Sequence, residues 1–194
     1  EVILITGGTG FAGSHLVEHL AEKSAGEIHV TQYSEVPLPD SPGFDQALAH
    51  TLDLTDGAAT AALIAEVKPT QVYHLASFAF VGKSFEKGAS LLTNNIGLQF
   101  NLLEALRKNA PTARVLVIGS AEEYGVSEHD FEIPMKEDHP FRPINPYAVS
   151  KVFSFDIARM YREAYGIFSC NGILFNHESR RRGVSFVSRK MTRG

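Results

Sequence analysis

The junction at the start of the chain constrains the fold more than any other feature. Val2-Ile3-Leu4-Ile5-Thr6 is a short apolar run of the kind that fills a parallel strand covered on both faces. It leads directly into Gly7-Gly8-Thr9-Gly10-Phe11-Ala12-Gly13, and an amphipathic helical pattern follows from Phe11 to about Lys23. Strand, glycine turn and helix in this order form the context that a dinucleotide fingerprint requires. Gly7, Gly10 and Gly13 let the chain turn tightly, let its amides approach a pyrophosphate, and let the helix pack closely on the strand. The helix start then offers free N–H groups and a positive dipole end to phosphates. A glycine-rich turn without a ligand is the plainer alternative, and the position at the first strand–helix junction favours binding.

The rest of the chain alternates strands and helices, as a parallel α/β sheet demands. Glu27–Thr31 reads as a second strand. At its end an acid would grip a ribose 2′-hydroxyl and an arginine would suit a 2′-phosphate. The residues there are Thr31-Gln32-Tyr33-Ser34, which are neither. Pro37 to Gly43 reads as a proline-rich surface loop. Asp53, after a weak third strand, is expected either to take an adenine amino group or to cap the helix that begins near Asp56. Gln71–Ala76 reads as the fourth strand, with His74 a core histidine rather than a ligand. The loop Ser77 to Phe85 leaves its C-terminal end, where open α/β sheets bind ligands. Leu98, Leu102 and Leu106 form a helical stripe within Leu91–Asn109, read as core or as half of a helix-bundle seam. His15 and His19 lie four apart on the first helix, but no third ligand follows, so no metal site is expected.

The chemistry gathers in the second half. Arg114–Gly119 reads as the fifth strand, with Ser120 and Glu122 just beyond its end. Asn145-Pro146-Tyr147-Ala148-Val149-Ser150-Lys151 opens a helix that Asn145 caps and Pro146 starts. Tyr147 and Lys151 then share one face. An ammonium beside a phenol favours the phenolate, so the Tyr147 pKa is expected below its ordinary value of about 10. Such a tyrosine serves as base or acid toward a sugar or steroid hydroxyl. Ser120 is placed to hydrogen-bond the hydroxyl that Tyr147 works on. Glu122 reads as a second base or as a solvated loop charge. After a sixth strand, Ser169–Phe175, the run Arg180-Arg181-Arg182 reads as a phosphate clamp or as a solvated face.

Composition narrows the classes. The chain has 194 residues, 44% hydrophobic and 21% charged, which fits one domain with a sizeable core. A net charge of −4 argues against nucleic acid as a partner. The single cysteine, Cys170, fits a reducing compartment. No apolar run approaches the roughly 20 residues that span a bilayer. No membrane partner and a cytoplasmic location are the expectation.

Together these motifs resemble the extended short-chain dehydrogenase/reductase family of nucleotide-sugar enzymes. The resemblance rests on Gly7-x-x-Gly10-x-x-Gly13, Asp53-Leu54, His74-Leu75-Ala76, Thr93-Asn94-Asn95-Ile96-Gly97, Ser120 and Tyr147-x-x-x-Lys151. Within the family, the stretch Asn171 to Ser179 and Arg181-Arg182-Gly183-x-x-Phe186-Val187-x-Arg189-Lys190 are similar to GDP-mannose 4,6-dehydratases. The resemblance implies a Rossmann-type doubly wound parallel sheet with helices on both faces, filling residues 1–194. It also implies a smaller substrate domain, largely absent from this chain. It implies Ser120, Glu122, Tyr147 and Lys151 as catalytic residues. For the cofactor it implies Gly7, Gly10, Phe11, Ala12, Gly13, Asp53, Leu54, Leu75, Ala76, Ser77, Tyr147, Lys151, His177 and Arg182. For the substrate it implies Val81, Ser84, Glu122 and Asn176. The implied cofactor is NADP, with NAD open, and the implied substrate is a nucleotide sugar, a GDP-linked hexose. A homodimer or tetramer would suit the family. The implied activity is 4,6-dehydration; the alternatives are a 4-keto reductase or 4-epimerase, and a non-catalytic nucleotide sensor. Phe11-Ala12 stands where the dehydratases have Gln-Asp, and the arginines expected after the second strand are missing.

Overall fold

Six strands form a single parallel sheet in the computed structural model, which describes residues 1–34, 38–41, 43–79, 85–125, 134–184 and 186–193. They are β1 (Val2–Thr6), β2 (Glu27–Gln32), β3 (Ala47–Thr51), β4 (Gln71–His74), β5 (Arg114–Ser120) and β6 (Phe168–Leu174). The spatial order is β3-β2-β1-β4-β5-β6, so the chain winds outward to one side and then returns to wind the other way. The reversal falls between β1 and β4, which pair from Ile3↔Gln71 to Thr6↔His74. A crevice opens there at the strands' C-terminal ends, and it is where such sheets take ligands. This is the Rossmann-type architecture that the resemblance implied, built on the parallel sheet that the alternating pattern predicts.

The helices are α1 (Phe11–Glu22), α2 (Gly57–Val67), α3 (Gly88–Asn109), α4 (Pro146–Tyr165) and α5 (Val187–Arg193). Successive strand residues face opposite sides, and β1 serves both. Leu4 joins Val72, Val115 and Val117 under α2, α3 and α4, where Leu102, Leu103, Leu106 and Ala158 are fully buried. Ile3 and Ile5 join Ile28 and Val30 under Val17 of α1 and Phe44. The leucine stripe of α3 is therefore core and not a bundle seam. Burying one such leucine contributes roughly 1.5–3 kcal/mol.

Helix starts follow local chemistry. Asp56 accepts from the Ala58 and Ala59 N–H groups and caps α2. Asp53 instead closes a turn on the Thr55 N–H and hydroxyl. The capping alternative for Asp53 is thereby removed. Asn145 accepts from the Ala148 N–H at 2.8 Å, with Pro146 in the first turn of α4.

His74 is buried, as its place inside a strand suggests. Its Nδ1 shares a hydrogen bond with the Thr6 hydroxyl at 2.7 Å, and its Nε2 has no partner among the described residues. Burial, assisted by the Lys151 charge, holds its pKa down at about 3, from an ordinary 6.5. Between those values the unfolded chain binds a proton that the folded chain refuses, so stability falls as pH drops through this window. The loss from this group is about 1.4 kcal/mol per pH unit. Denaturant midpoints between pH 7 and pH 4 are expected to fall more steeply in the wild type than in His74→Asn. Equal slopes would remove His74 as the cause.

Candidate active site

The cleft at the switch point is lined from the glycine turn at one end to Tyr147 and Lys151 at the other, with a volume near 710 Å³. Its floor is the turn itself. Gly7 adopts a φ of +67°, where L side chains are strained, and the Ala76 backbone lies 3.1 Å from where its Cβ would be. A Cβ on Gly13 would sit 2.3 Å from the Gly7 carbonyl oxygen, so α1 can approach the turn only with glycine at that position. The start of α1 has no side-chain cap and no acid in its first turn. Its N–H groups and positive dipole end suit a pyrophosphate. Gly13→Ala is expected to abolish the rise in melting temperature that a dinucleotide gives the wild type. An undiminished rise would show that the turn does not form the cradle.

The other end is built from β5, the short 3₁₀ turn Ala121–Tyr124 and α4. Ser120 ends β5 and hydrogen-bonds the Tyr147 phenol. It also accepts from the Glu122 N–H at 3.3 Å. Tyr147 and Lys151 are 8% and 7% exposed, one helical turn apart on the inner face of α4. The Lys151 ammonium donates to the Ile118 carbonyl at 2.7 Å and lies 5.7 Å from the centre of the Tyr147 ring. The structure thus brings the three groups together from two elements.

Their protonation differs from the expectation. Burial pushes the Tyr147 phenol up to about 12; the Ser120 hydrogen bond opposes this, while the Glu123 and Glu122 carboxylates add to it. Burial also brings Lys151 down to about 8, with Glu123 opposing. The lysine therefore does not lower the tyrosine below its ordinary value. A buried ammonium must find an acceptor, and Lys151 finds the β5 carbonyl rather than the phenol oxygen.

Glu122 and Glu123 are adjacent, and the turn separates them. Glu122 is half-buried in the cleft wall, and its Oε2 accepts from Asn145 Nδ2 at 2.9 Å. Glu123 is fully buried, accepts the Ser120 N–H at 2.7 Å, and is pushed above the usual carboxylate range by that burial. The sequence reading overlooked Glu123, since nothing in Glu-Glu says which one faces inward. It also missed the second role of Asn145, which caps α4 and holds Glu122. Asn145→Ala is expected to cost about 1 kcal/mol of stability through the lost cap. It should also slow turnover about tenfold by freeing the carboxylate. An unchanged rate would separate the tether from catalysis.

Asn95, noted in the sequence as part of the Thr93-Asn94-Asn95-Ile96-Gly97 motif but given no role there, is 3% exposed in α3. It bonds the Phe78 N–H at 2.9 Å, the Phe78 carbonyl at 3.3 Å and the Ser150 hydroxyl at 3.0 Å. It ties the loop after β4 to α4, and so the middle of the cleft to its Tyr147 end.

Every residue assigned to the cofactor from the sequence lines this cleft, as do Ser120, Glu122 and Asn176. Val81 and Ser84 lie outside the described residues. The segment after β6 folds back over α1. There His177 stacks on Phe11 at 5.4 Å, and the Arg182 guanidinium lies 4.9 Å from the Phe11 ring and 3.8 Å from Phe186. His15 bonds the Ser179 hydroxyl at 2.7 Å rather than pairing with His19. Of the arginine run, Arg181 is committed to Glu18 and Ser14, while Arg182 reaches the cleft.

Known proteins resemble the chain along its whole length. The family model described as GDP-mannose 4,6 dehydratase matches residues 4–194. A GDP-mannose 4,6-dehydratase of Vibrio cholerae is 40% identical over all of this chain and 54% of its own length. GDP-mannose 4,6 dehydratase 2 of Arabidopsis thaliana is 39% identical over the same shares, 100% and 54%. The chain spans about half the length of the curated relatives it matches. A UDP-glucose 4-epimerase of Brucella ovis, solved with NAD, superposes with a TM-score of 0.79 at 29% identity, over 90% of this chain and 51% of that one. A dTDP-glucose 4,6-dehydratase of Streptomyces venezuelae reaches 0.85 over 98% and 61%; at 24% identity it speaks for the fold.

Proposed function

The chain belongs to the GDP-mannose 4,6 dehydratase family, and we propose that the protein carrying it converts GDP-mannose to GDP-4-keto-6-deoxymannose. In this reading residues 1–194 are the dinucleotide-binding unit. The observation that carries the proposal is the meeting of Ser120, Tyr147 and Glu122 in one cleft wall that continues into the glycine cradle. The cradle fits a nicotinamide dinucleotide because glycine at positions 7 and 13 lets the turn close on Ala76 and lets α1 approach the turn, and the uncapped N–H groups at the start of α1 suit a pyrophosphate. When bound, a dinucleotide would supply the redox chemistry, accepting a hydride from the sugar C4 and giving one back at C6.

The chain's own groups handle protons. Tyr147 exchanges the proton of the C4 oxygen as that carbon becomes a ketone, and Ser120 orients the same oxygen. The ketone acidifies the C5 hydrogen, which Glu122 removes as a proton. Glu122 passes that proton to the C6 hydroxyl, which leaves as water. C5 regains a proton as C6 is reduced, balancing the one that Tyr147 took from the C4 oxygen, so the sugar loses one water and the dinucleotide ends as it began. Lys151 sets the charge beside Tyr147 from its seat on the Ile118 carbonyl.

NADP is the form the resemblance implied; the end of β2 supplies no cation for its 2′-phosphate. A 4-epimerase or 4-keto reductase is the second reading, favoured by the likeness to the Brucella ovis epimerase. Incubating the full-length protein with GDP-mannose and a dinucleotide separates them. Dehydration gives a sugar lighter by one water with no net change in the dinucleotide. An epimerised sugar of unchanged mass, or mole-for-mole oxidation of the reduced dinucleotide on a keto sugar, would replace the proposal.

A further inference from the structure

We infer that the adenosine end of this cleft selects NAD over NADP, with the Gln32 amide oxygen accepting a ribose hydroxyl. The inference rests on the dinucleotide site proposed above. Gln32 is the last residue of β2, lies in the cleft wall and is 8% exposed. Its Nε2 donates to the Thr51 hydroxyl at 3.0 Å, and its Oε1 is buried with no partner among the described residues. An amide oxygen only accepts hydrogen bonds. A ribose hydroxyl has a proton to give it; a 2′-phosphate carries about −1.5 to −2 charges at neutral pH and has little or none.

Charge points the same way. From Ser24 through Val67, the stretch running from before β2 to the end of α2, the sequence contains no lysine or arginine, while Glu35, Asp40 and Asp53 are acidic. Asp53 lines the cleft. Among the described residues that line it, the lysine and arginine side chains are Lys151 and Arg182. Lys151 is bound to β5, which β1 and β4 separate from β2. At about 4.8 Å per strand that is roughly 14 Å away. Arg182 is held against Phe11 and Phe186. At the end of β2 a 2′-phosphate would therefore meet an acceptor and a carboxylate, with no lysine or arginine in that stretch of the chain to offset its charge.

Fluorescence titration of the full-length protein with NADH and NADPH tests this without turnover. NADH is expected to bind at least about tenfold more tightly than NADPH. Gln32→Leu, of similar size, is expected to weaken NADH about tenfold and NADPH much less. Tyr33 is 69% exposed beside Gln32, so Tyr33→Arg adds a cation without disturbing the core. It is expected to tighten NADPH about tenfold and to leave NADH nearly unchanged. NADPH binding as tightly as NADH to the wild type would overturn the inference while leaving the dinucleotide site standing. So would unchanged NADH affinity in Gln32→Leu, or unchanged NADPH affinity in Tyr33→Arg. Failure of both dinucleotides to bind would overturn the site itself, and this inference with it.

Discussion

Tyr147→Phe is expected to lower turnover by about 10²–10⁴, the range that a positioned acid–base group contributes. The ring keeps its place on the inner face of α4, 8% exposed, so the fold should persist. Only the hydroxyl is lost, and with it the hydrogen bond to Ser120 and the proton exchanged with the substrate oxygen. Melting temperature and dinucleotide affinity should stay close to wild type while the rate collapses. Since burial places the phenol near 12, it holds its proton at neutral pH in the unliganded chain. In the proposed mechanism the first proton step therefore needs the environment of Tyr147 to change when the cleft fills. A full rate in Tyr147→Phe would remove it from the chemistry.

The second large effect belongs to Glu122→Gln. An amide of the same shape can still accept the Asn145 Nδ2 hydrogen bond at the cleft wall. It cannot take a proton from carbon, so dehydration should fall by about 10²–10⁴. In the proposed mechanism the oxidation at C4 does not use Glu122, so this variant should still reduce bound dinucleotide while releasing very little dehydrated sugar. That split distinguishes the dehydratase from its alternatives. A reductase or epimerase needs Ser120, Tyr147 and Lys151 but no base at C5, and would run normally without the Glu122 carboxylate.

The fold was legible because its main signals are local. The strand–glycine–helix junction, the Asn145-Pro146 helix start and the alternation of apolar runs all act within a few residues. Local chemistry also misleads where several side chains compete for one job. Asp53 and Asp56 both look like caps for α2, but Asp56, extended just before the helix, is the one whose carboxylate reaches the Ala58 and Ala59 N–H groups, while Asp53 is taken up by Thr55. Glu122 and Glu123 look alike until the 3₁₀ turn sends one inward to the Ser120 N–H. The error over Tyr147 has a different origin. Sequence spacing places an ammonium one turn from a phenol, but it does not say how dry the site is. Nor does it show that the Ile118 carbonyl competes for the ammonium. Desolvation is the largest effect on the phenol, and the pKa moves up instead of down. Gln32 is visible in the sequence as a missing acid, yet its unpartnered oxygen is a property of packing.

The most direct measurement follows a label through one turnover. GDP-mannose carrying deuterium at C4 is incubated with the full-length protein and catalytic dinucleotide in ordinary water, and the product is read by NMR. If the cleft oxidises C4, eliminates water and reduces C6 with the same hydrogen, the deuterium appears at C6 of a 4-keto-6-deoxy sugar. Deuterium retained at C4, or found in accumulated reduced dinucleotide, would contradict the account.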